Sequence, residues 1–128
     1  FQTYWENHLN RMTQGDTYYV LGSLGDLWNE LLQEKATRMK RLLVKKEIRV
    51  KVIAYNDNAK DRELTALYPY YDVRIMPNGY YTPANANIWG DHIALQTAVE
   101  PYSVIDIYNP ALAKAYLNTF NVLWESAK

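Results

Sequence analysis

The chain has 128 residues, 48% of them hydrophobic, with 14 basic and 14 acidic side chains, two His and no Cys. That length suits one domain with a substantial core, and the balanced charge removes any whole-domain pull on a nucleic-acid backbone. Disulfides, thiolate metal sites and Cys nucleophiles are excluded, no apolar run approaches the roughly 20 residues of a membrane span, and no signal-peptide pattern is present.

Residues 1–13 predict a helix, because Phe1, Trp5, His8, Leu9 and Met12 share one stripe at helical spacing. Gln14-Gly15-Asp16 breaks it, and Thr17-Tyr18-Tyr19-Val20-Leu21 is a β-branched and aromatic run that predicts a buried strand. Gly22 to Asp26 form a tight loop. A helix then runs from Asp26, a residue suited to its positive end, to about Val44. Its apolar face is Leu27, Trp28, Leu31, Leu32, Met39, Leu42 and Leu43.

Ile48 to Tyr55 alternates and predicts a second strand; a helix follows over residues 59–67, with Leu64 and Leu67 facing inward and Pro69 behind it. Tyr71 to Met76 is a third strand, stopped by Pro77-Asn78-Gly79. A hairpin-like stretch follows, Ala86 to Trp89 and Ile93 to Ala98 around a Gly90-Asp91 turn. Tyr102 to Tyr108 is the last strand, placed in the centre of the sheet by its apolar run. Asn109-Pro110 starts a closing helix with inner residues Leu112, Tyr116, Phe120, Leu123, Trp124 and Ala127. The order is α-β-α-β-α-β-β-β-β-α, an α/β domain over residues 1–128. Its first half predicts right-handed parallel crossovers and its second half makes the sheet mixed.

The loop Gly22-Ser23-Leu24-Gly25 leads from strand to helix, a place where free N–H groups can hold an anion. With only two glycines and no following Lys, a plain tight turn is the better reading. The basic cluster Lys35, Arg38, Lys40, Arg41, Lys45, Lys46 and Arg49 reads as a solvated helix face, its alternative being a DNA- or partner-facing patch. Tyr68, Tyr70, Tyr71, Tyr80 and Tyr81 bunch around the third strand and suit ligand stacking, an interface or simple rim packing. Trp89, just before a turn, reads as exposed. Asp106, between Ile105 and Ile107, needs either a polar cleft or a Lys partner.

Several passages carry a resemblance: Tyr18-Tyr19-Val20-Leu21-Gly22-Ser23, Ile48 to Ile53, Asp72-Val73-Arg74, Asn87 to Leu95, Ile105-Asp106-Ile107, and the helix Ala113 to Trp124. In pattern and order they resemble half of a phospholipase D-type domain, closest to the effector-binding region of TrmB-type transcriptional regulators. The resemblance implies a phospholipase D-like mixed sheet flanked by helices. Phospholipase D-like proteins carry His-x-Lys-x-x-x-x-Asp at this hairpin. Aligned on Asp91, the His position holds Ala84 and the Lys position holds Ala86. Alanine offers no nucleophile and no phosphate-binding charge, so the resemblance implies binding without hydrolysis.

The expectation is therefore a non-enzymatic ligand-sensing or dimerisation domain of a cytoplasmic TrmB-like regulator. The alternatives are an interaction module without a small ligand and a divergent phosphodiesterase. The chain begins with Phe1, so it is expected to be a piece of a longer protein. DNA would be read only through a winged helix outside it. A homodimer is expected, and no membrane, metal or cofactor. An uncharged ligand such as a sugar would sit beyond the carboxyl ends of the parallel strands, where Ser23, Tyr55, Asn56, Asn78, Asn85 and Asn87 are the candidate contacts. No ligand residue of the family is carried over, because in its sugar-binding members a further domain contributes to the site.

Overall fold

The computed structural model describes residues 7, 10–23, 35–76, 82–97 and 99–127, apart from the side chains of residues 35 and 36. Six strands form one mixed sheet: β1 (Thr17–Ser23), β2 (Arg49–Ala54), β3 (Tyr71–Ile75), β4 (Ala84–Trp89), β5 (His92–Thr97) and β6 (Val104–Tyr108), in the spatial order β3-β2-β1-β4-β5-β6. Strands β3, β2 and β1 are parallel, and β4, β5 and β6 continue the sheet antiparallel. The alternating and mixed halves read from the sequence are therefore both present. Three helices accompany them: α1 (Lys35–Lys45), α2 (Ala59–Leu67) and α3 (Pro110–Ser126). The expected first helix and the start of the second fall largely outside the described residues.

Strand alternation divides the core into two layers. On one face Tyr18, Val20, Val50, Val52, Tyr71 and Val73 pack against Met39 and Leu43 of α1 and Leu64 of α2. On the other, Tyr19, Leu21, Ile53 and Ile88 pack against Tyr116, Leu117, Phe120 and Trp124 of α3. Phe120 is fully buried and meets Tyr19 edge-on at 5.1 Å and Trp124 at 5.7 Å. Arg74 donates to the Trp124 carbonyl at 2.6 Å and lies 4.5 Å from its ring, which ties α3 to β3.

Local chemistry explains the helix ends. Asn58 caps α2: its side chain accepts from the Asp61 amide at 2.9 Å and donates to the Asp61 carboxylate at 2.6 Å. Asn109 caps α3 by accepting from the Leu112 amide at 3.0 Å, with Pro110 at the first turn. After α1, Lys46 folds back and donates to the carbonyls of Asn10 at 2.9 Å and Met12 at 2.8 Å. One member of the basic cluster is thus a structural tie rather than a free surface charge.

Four placements differ from the sequence reading. Leu67 is 73% exposed, because it lies in the last turn of α2 over an open groove. Leu112, in the first turn of α3, is also largely outside the core. Trp89 is half-buried rather than exposed: its indole N–H donates to Asp16 at 3.1 Å and its ring stacks on His92. The fourth is β6, which is an edge strand and not a central one. Periodicity reports how apolar a strand is, not which neighbours it has.

Candidate functional site

At the carboxyl ends of β1 and β2, on the α3 face, the sheet opens into a cleft of about 410 Å³ lined by Leu21, Tyr55, Thr82, Ala84, Asn85, Ala86, Leu95, Gln96, Thr97, Ser103 and Ile105. The antiparallel partners bring the start of β4, the end of β5 and the start of β6 to the same place. Ala86 faces Leu21 on one side and Leu95 on the other. A longer side chain at 84 or 86 would project into this space, so the cleft exists where the two alanines stand.

Tyr55 forms one wall. Its hydroxyl donates to the Ala84 carbonyl at 2.7 Å, linking the end of β2 to the start of β4. Gly22 makes this possible. It has a φ of +90°, and a Cβ there would collide with the Tyr55 ring. On the far side, Thr97 donates to the Pro101 carbonyl at 3.0 Å and accepts from the Ser103 amide at 3.0 Å. Ser103 donates to the same carbonyl at 3.2 Å. These hydroxyls are held in backbone contacts, and none lies beside a base that would activate it. Among the described residues the lining has no carboxylate, imidazole, Lys or Arg. Such a surface can donate and accept neutral hydrogen bonds and cover an apolar ring, but it does not compensate a phosphate.

The candidate contacts separate. Tyr55 and Asn85 line the cleft. Ser23 is buried at the end of β1, in register with Ala54. Asn56 lines another cavity, of about 270 Å³ beside α2, with Asp57, Asn58 and Arg62. Asn78 lies outside the described residues. Asn87 is 3% exposed and shares a face with Asn85, to which it donates at a long 3.4 Å. Its side-chain oxygen is buried without a hydrogen-bond partner, a cost of about 1–3 kcal/mol for such a group.

Asp106 finds neither a cleft nor a Lys. It pairs with His92 Nδ1 at 3.3 Å. His92 is stacked on Trp89 at 5.2 Å and meets Tyr108 at 4.9 Å. This cluster sits at the hairpin end of β5, roughly 15 Å along the strand from Thr97 at the strand rise. Asp91 is exposed in the turn beside Gly90 and accepts from the Asn109 amide at 3.0 Å. Asp16 helps to hold Trp89. Burial alone would raise its carboxyl, but hydrogen bonds from Thr13 and Trp89 and the nearby Lys46 outweigh this and hold it below 3.8.

The sequence reading did not single out the polar group beneath α2. Tyr71, buried, donates to Asp61 at 2.6 Å, and Lys60 stands 3.8 Å from the same oxygen. Burial, and then the Asp61 charge, push the Tyr71 hydroxyl well above 10.0. Tyr68 donates to the carbonyls of Leu43 and Ile48, and burial raises it to about 12. Tyr68 and Tyr71 are therefore core residues, Tyr70 is exposed, and Tyr80 and Tyr81 fall outside the described residues. The Asn58-x-x-Asp61 spacing was the available sign of the cap. Nothing in the sequence paired Asp61 with Tyr71.

Among the described residues no cluster of His, Asp or Glu could hold a metal, and no helix is long and apolar enough to cross a membrane. No family model matches the sequence, and no curated protein is significantly similar to it. Among solved structures the chain is similar to TrmBL2, an archaeal chromatin protein whose structure shows a novel mode of DNA binding. The TM-score is 0.60 at 12% identity, over 99% of this chain and 50% of that one. At that identity the likeness is one of fold, and this chain spans about half the length of its neighbour.

Proposed function

We propose that this chain is the non-catalytic sensing domain of a TrmB-like regulator, built on a phospholipase D-like sheet whose reaction site has become a neutral binding cleft. The observation that carries the reading is the space of about 410 Å³ beside Ala84 and Ala86. It falls within the usual range for small-molecule sites, about 300–1,000 Å³. An uncharged ligand with polar edges and an apolar face, such as a sugar, suits the mixture of Tyr55, Thr97 and Ser103 hydroxyls with Leu21 and Leu95. The fold shared with TrmBL2, described as binding DNA, supports a place beside a DNA-binding part. DNA contact is assigned to a winged helix elsewhere in a longer protein. Ligand binding would act through unequal affinity for two arrangements of the attached parts.

Thermal unfolding with a panel of neutral sugars and polyols tests this. A ligand at a hundred times its dissociation constant stabilises the folded chain by about 2.7 kcal/mol. The expected result is a raised melting temperature for the wild type and none for Ala86→Leu, which fills the cleft. Equal protection of both would place the site elsewhere. No protection by any of them at millimolar levels would leave a protein-interaction module as the better account. Turnover of a chromogenic phosphodiester, lost in Asp91→Ala, would overturn the non-catalytic assignment.

A further inference from the structure

The two edges of the sheet are unlike. At β3 the outward sequence Tyr71-Asp72-Val73-Arg74-Ile75 alternates charge with apolar residues, and Arg74 is tied to α3. Charges of this kind guard an edge against pairing with another chain. At β6 the sequence is Val104-Ile105-Asp106-Ile107-Tyr108, and its one charge is occupied by His92. Ile105 is 57% and Tyr108 69% exposed, and Val99, Tyr102 and Leu112 flank the strand with their side chains also in solvent. Ile105 is exposed on the α3 face and Tyr108 on the opposite one, so the edge shows apolar side chains on both faces, on the order of 500 Å² in sum. No strand covers this edge among the described residues.

We infer that β6 pairs antiparallel with β6 of a second copy, with Ile105 on the two-fold axis, so that two sheets become one. The inference goes beyond the sensing assignment and does not depend on a ligand.

Hydrogen bonds already formed decide which groups remain for a partner. Asn109 donates to the Asp91 carbonyl and the Ser103 carbonyl accepts from Thr97, both at 3.0 Å. Odd-numbered residues of β6 thus turn their backbone groups toward β5. By alternation, the N–H and C=O groups of Val104, Asp106 and Tyr108 point outward. A two-fold antiparallel pair must place one residue opposite itself. Centring on Asp106 sets two carboxylates side by side, which is unfavourable. Centring on Ile107 runs β6 into Pro110 and α3 after a short overlap. Centring on Ile105 sets Val104 opposite the partner's Asp106, exchanging both of their outward bonds, and Tyr102 opposite the partner's Tyr108.

A second copy is the fitting occupant for two further reasons. The chain carries no net charge, 14 against 14, so copies do not repel. Edge-to-edge pairing would cover both faces of the strand at once, and two such edges together offer roughly the 1,000 Å² that a specific interface must clear. The pairing also reaches the cleft, since Ile105 and Ser103 are part of its wall. The partner's Ile105 would extend that wall.

The absence of Cys makes the test direct. In the proposed register Ile105 is a self-opposed, non-hydrogen-bonded position, whose Cα atoms would stand about 4.5 Å apart, within disulfide range. Under mild oxidation Ile105→Cys should become a disulfide-linked dimer. Ile107→Cys, four residues out of register with its own copy and so roughly 14 Å away, should remain uncrosslinked. Sedimentation of the 128-residue chain at micromolar concentration should show a dimer. Val104→Pro removes an outward N–H without removing an internal bond, and should raise the dissociation constant by at least roughly tenfold while far-UV circular dichroism is unchanged. A monomeric wild type, a Val104→Pro dimer of unchanged affinity, or crosslinking through residue 107 instead of 105 would each overturn the pairing. If Val104→Pro does not fold, the two cysteine variants still decide it. A monomer that binds sugar in the cleft would sink the pairing and leave the sensing assignment standing.

Discussion

Two buried polar sites, one beneath α2 in the parallel half of the sheet and one on β4 in the antiparallel half, are treated in opposite ways. Beneath α2, Asp61 is 3% exposed and meets Asn58, Tyr71 and Lys60. In the antiparallel half, Asn87 is as deeply buried, yet its side-chain oxygen has no partner. Beneath α2 the polar groups close into a network around Asp61. The antiparallel half contains the unsatisfied oxygen, the cleft made by two alanines and the open edge of β6. Within one continuous sheet, the closed polar network lies at the β3 end and the proposed binding surfaces at the β4–β6 end.

The largest effect that would break this contrast is expected at Asp61. Asp61→Ala removes the shared partner of Tyr71, Lys60 and the Asn58 cap. A loss of about 3 kcal/mol in urea unfolding is expected. A loss below about 1 kcal/mol would mean that the parallel half is not held by this network. Gly22 joins the halves, so Gly22→Ala comes next. Strain at a φ of +90° and the collision with Tyr55 should cost about 2 kcal/mol. Restoration of most of that loss by Tyr55→Ala in the same chain would identify the collision as the cause.

Alkali sharpens the comparison from one side. The folded chain keeps the Tyr68 proton to about 12, against 10.0 for the ordinary side chain. A raised value stabilises the fold fully below pH 10 and loses that contribution as pH rises through 12. Stability should thus fall across that window, and less steeply in Tyr68→Phe. Identical slopes would remove Tyr68 from the account. The smallest effect is expected at Asn87. Replacing a buried amide whose oxygen is unpaired by Leu, of similar volume, should leave stability within about 1 kcal/mol or raise it. A loss of several kcal/mol would show that Asn87 belongs to a satisfied network after all.

Much of the architecture was legible in the sequence. The β-branched runs marked β1, β2 and β3, Gly90-Asp91 marked the hairpin turn, and the spacing of Leu64 and Pro69 bounded α2. Ala84 and Ala86, singled out by the expected resemblance, do line the cleft. Asn56 and Asn87 were harder to place. A strand end names a region, but one step along the backbone moves a side chain to the other face, and Asn56 turns toward α2 instead. The exposure of β6 was not legible either. Its apolar pattern is that of a covered strand, and no strand among the described residues covers it. The Asp61–Tyr71 contact joins residues ten apart through the packing of α2 on β3, which no local pattern encodes.

The cleft beside Ala84 and Ala86 is proposed as a neutral binding site. The most direct measurement is an amide chemical-shift map of the labelled chain, titrated with a neutral sugar that protects it against thermal unfolding. Shifts concentrated at Leu21, Tyr55, Ala84, Ala86, Thr97 and Ser103, and absent in Ala86→Leu, are the predicted result. Shifts gathered instead around Val44 and Leu67, in the groove of about 390 Å³ between α1 and α2, would contradict it.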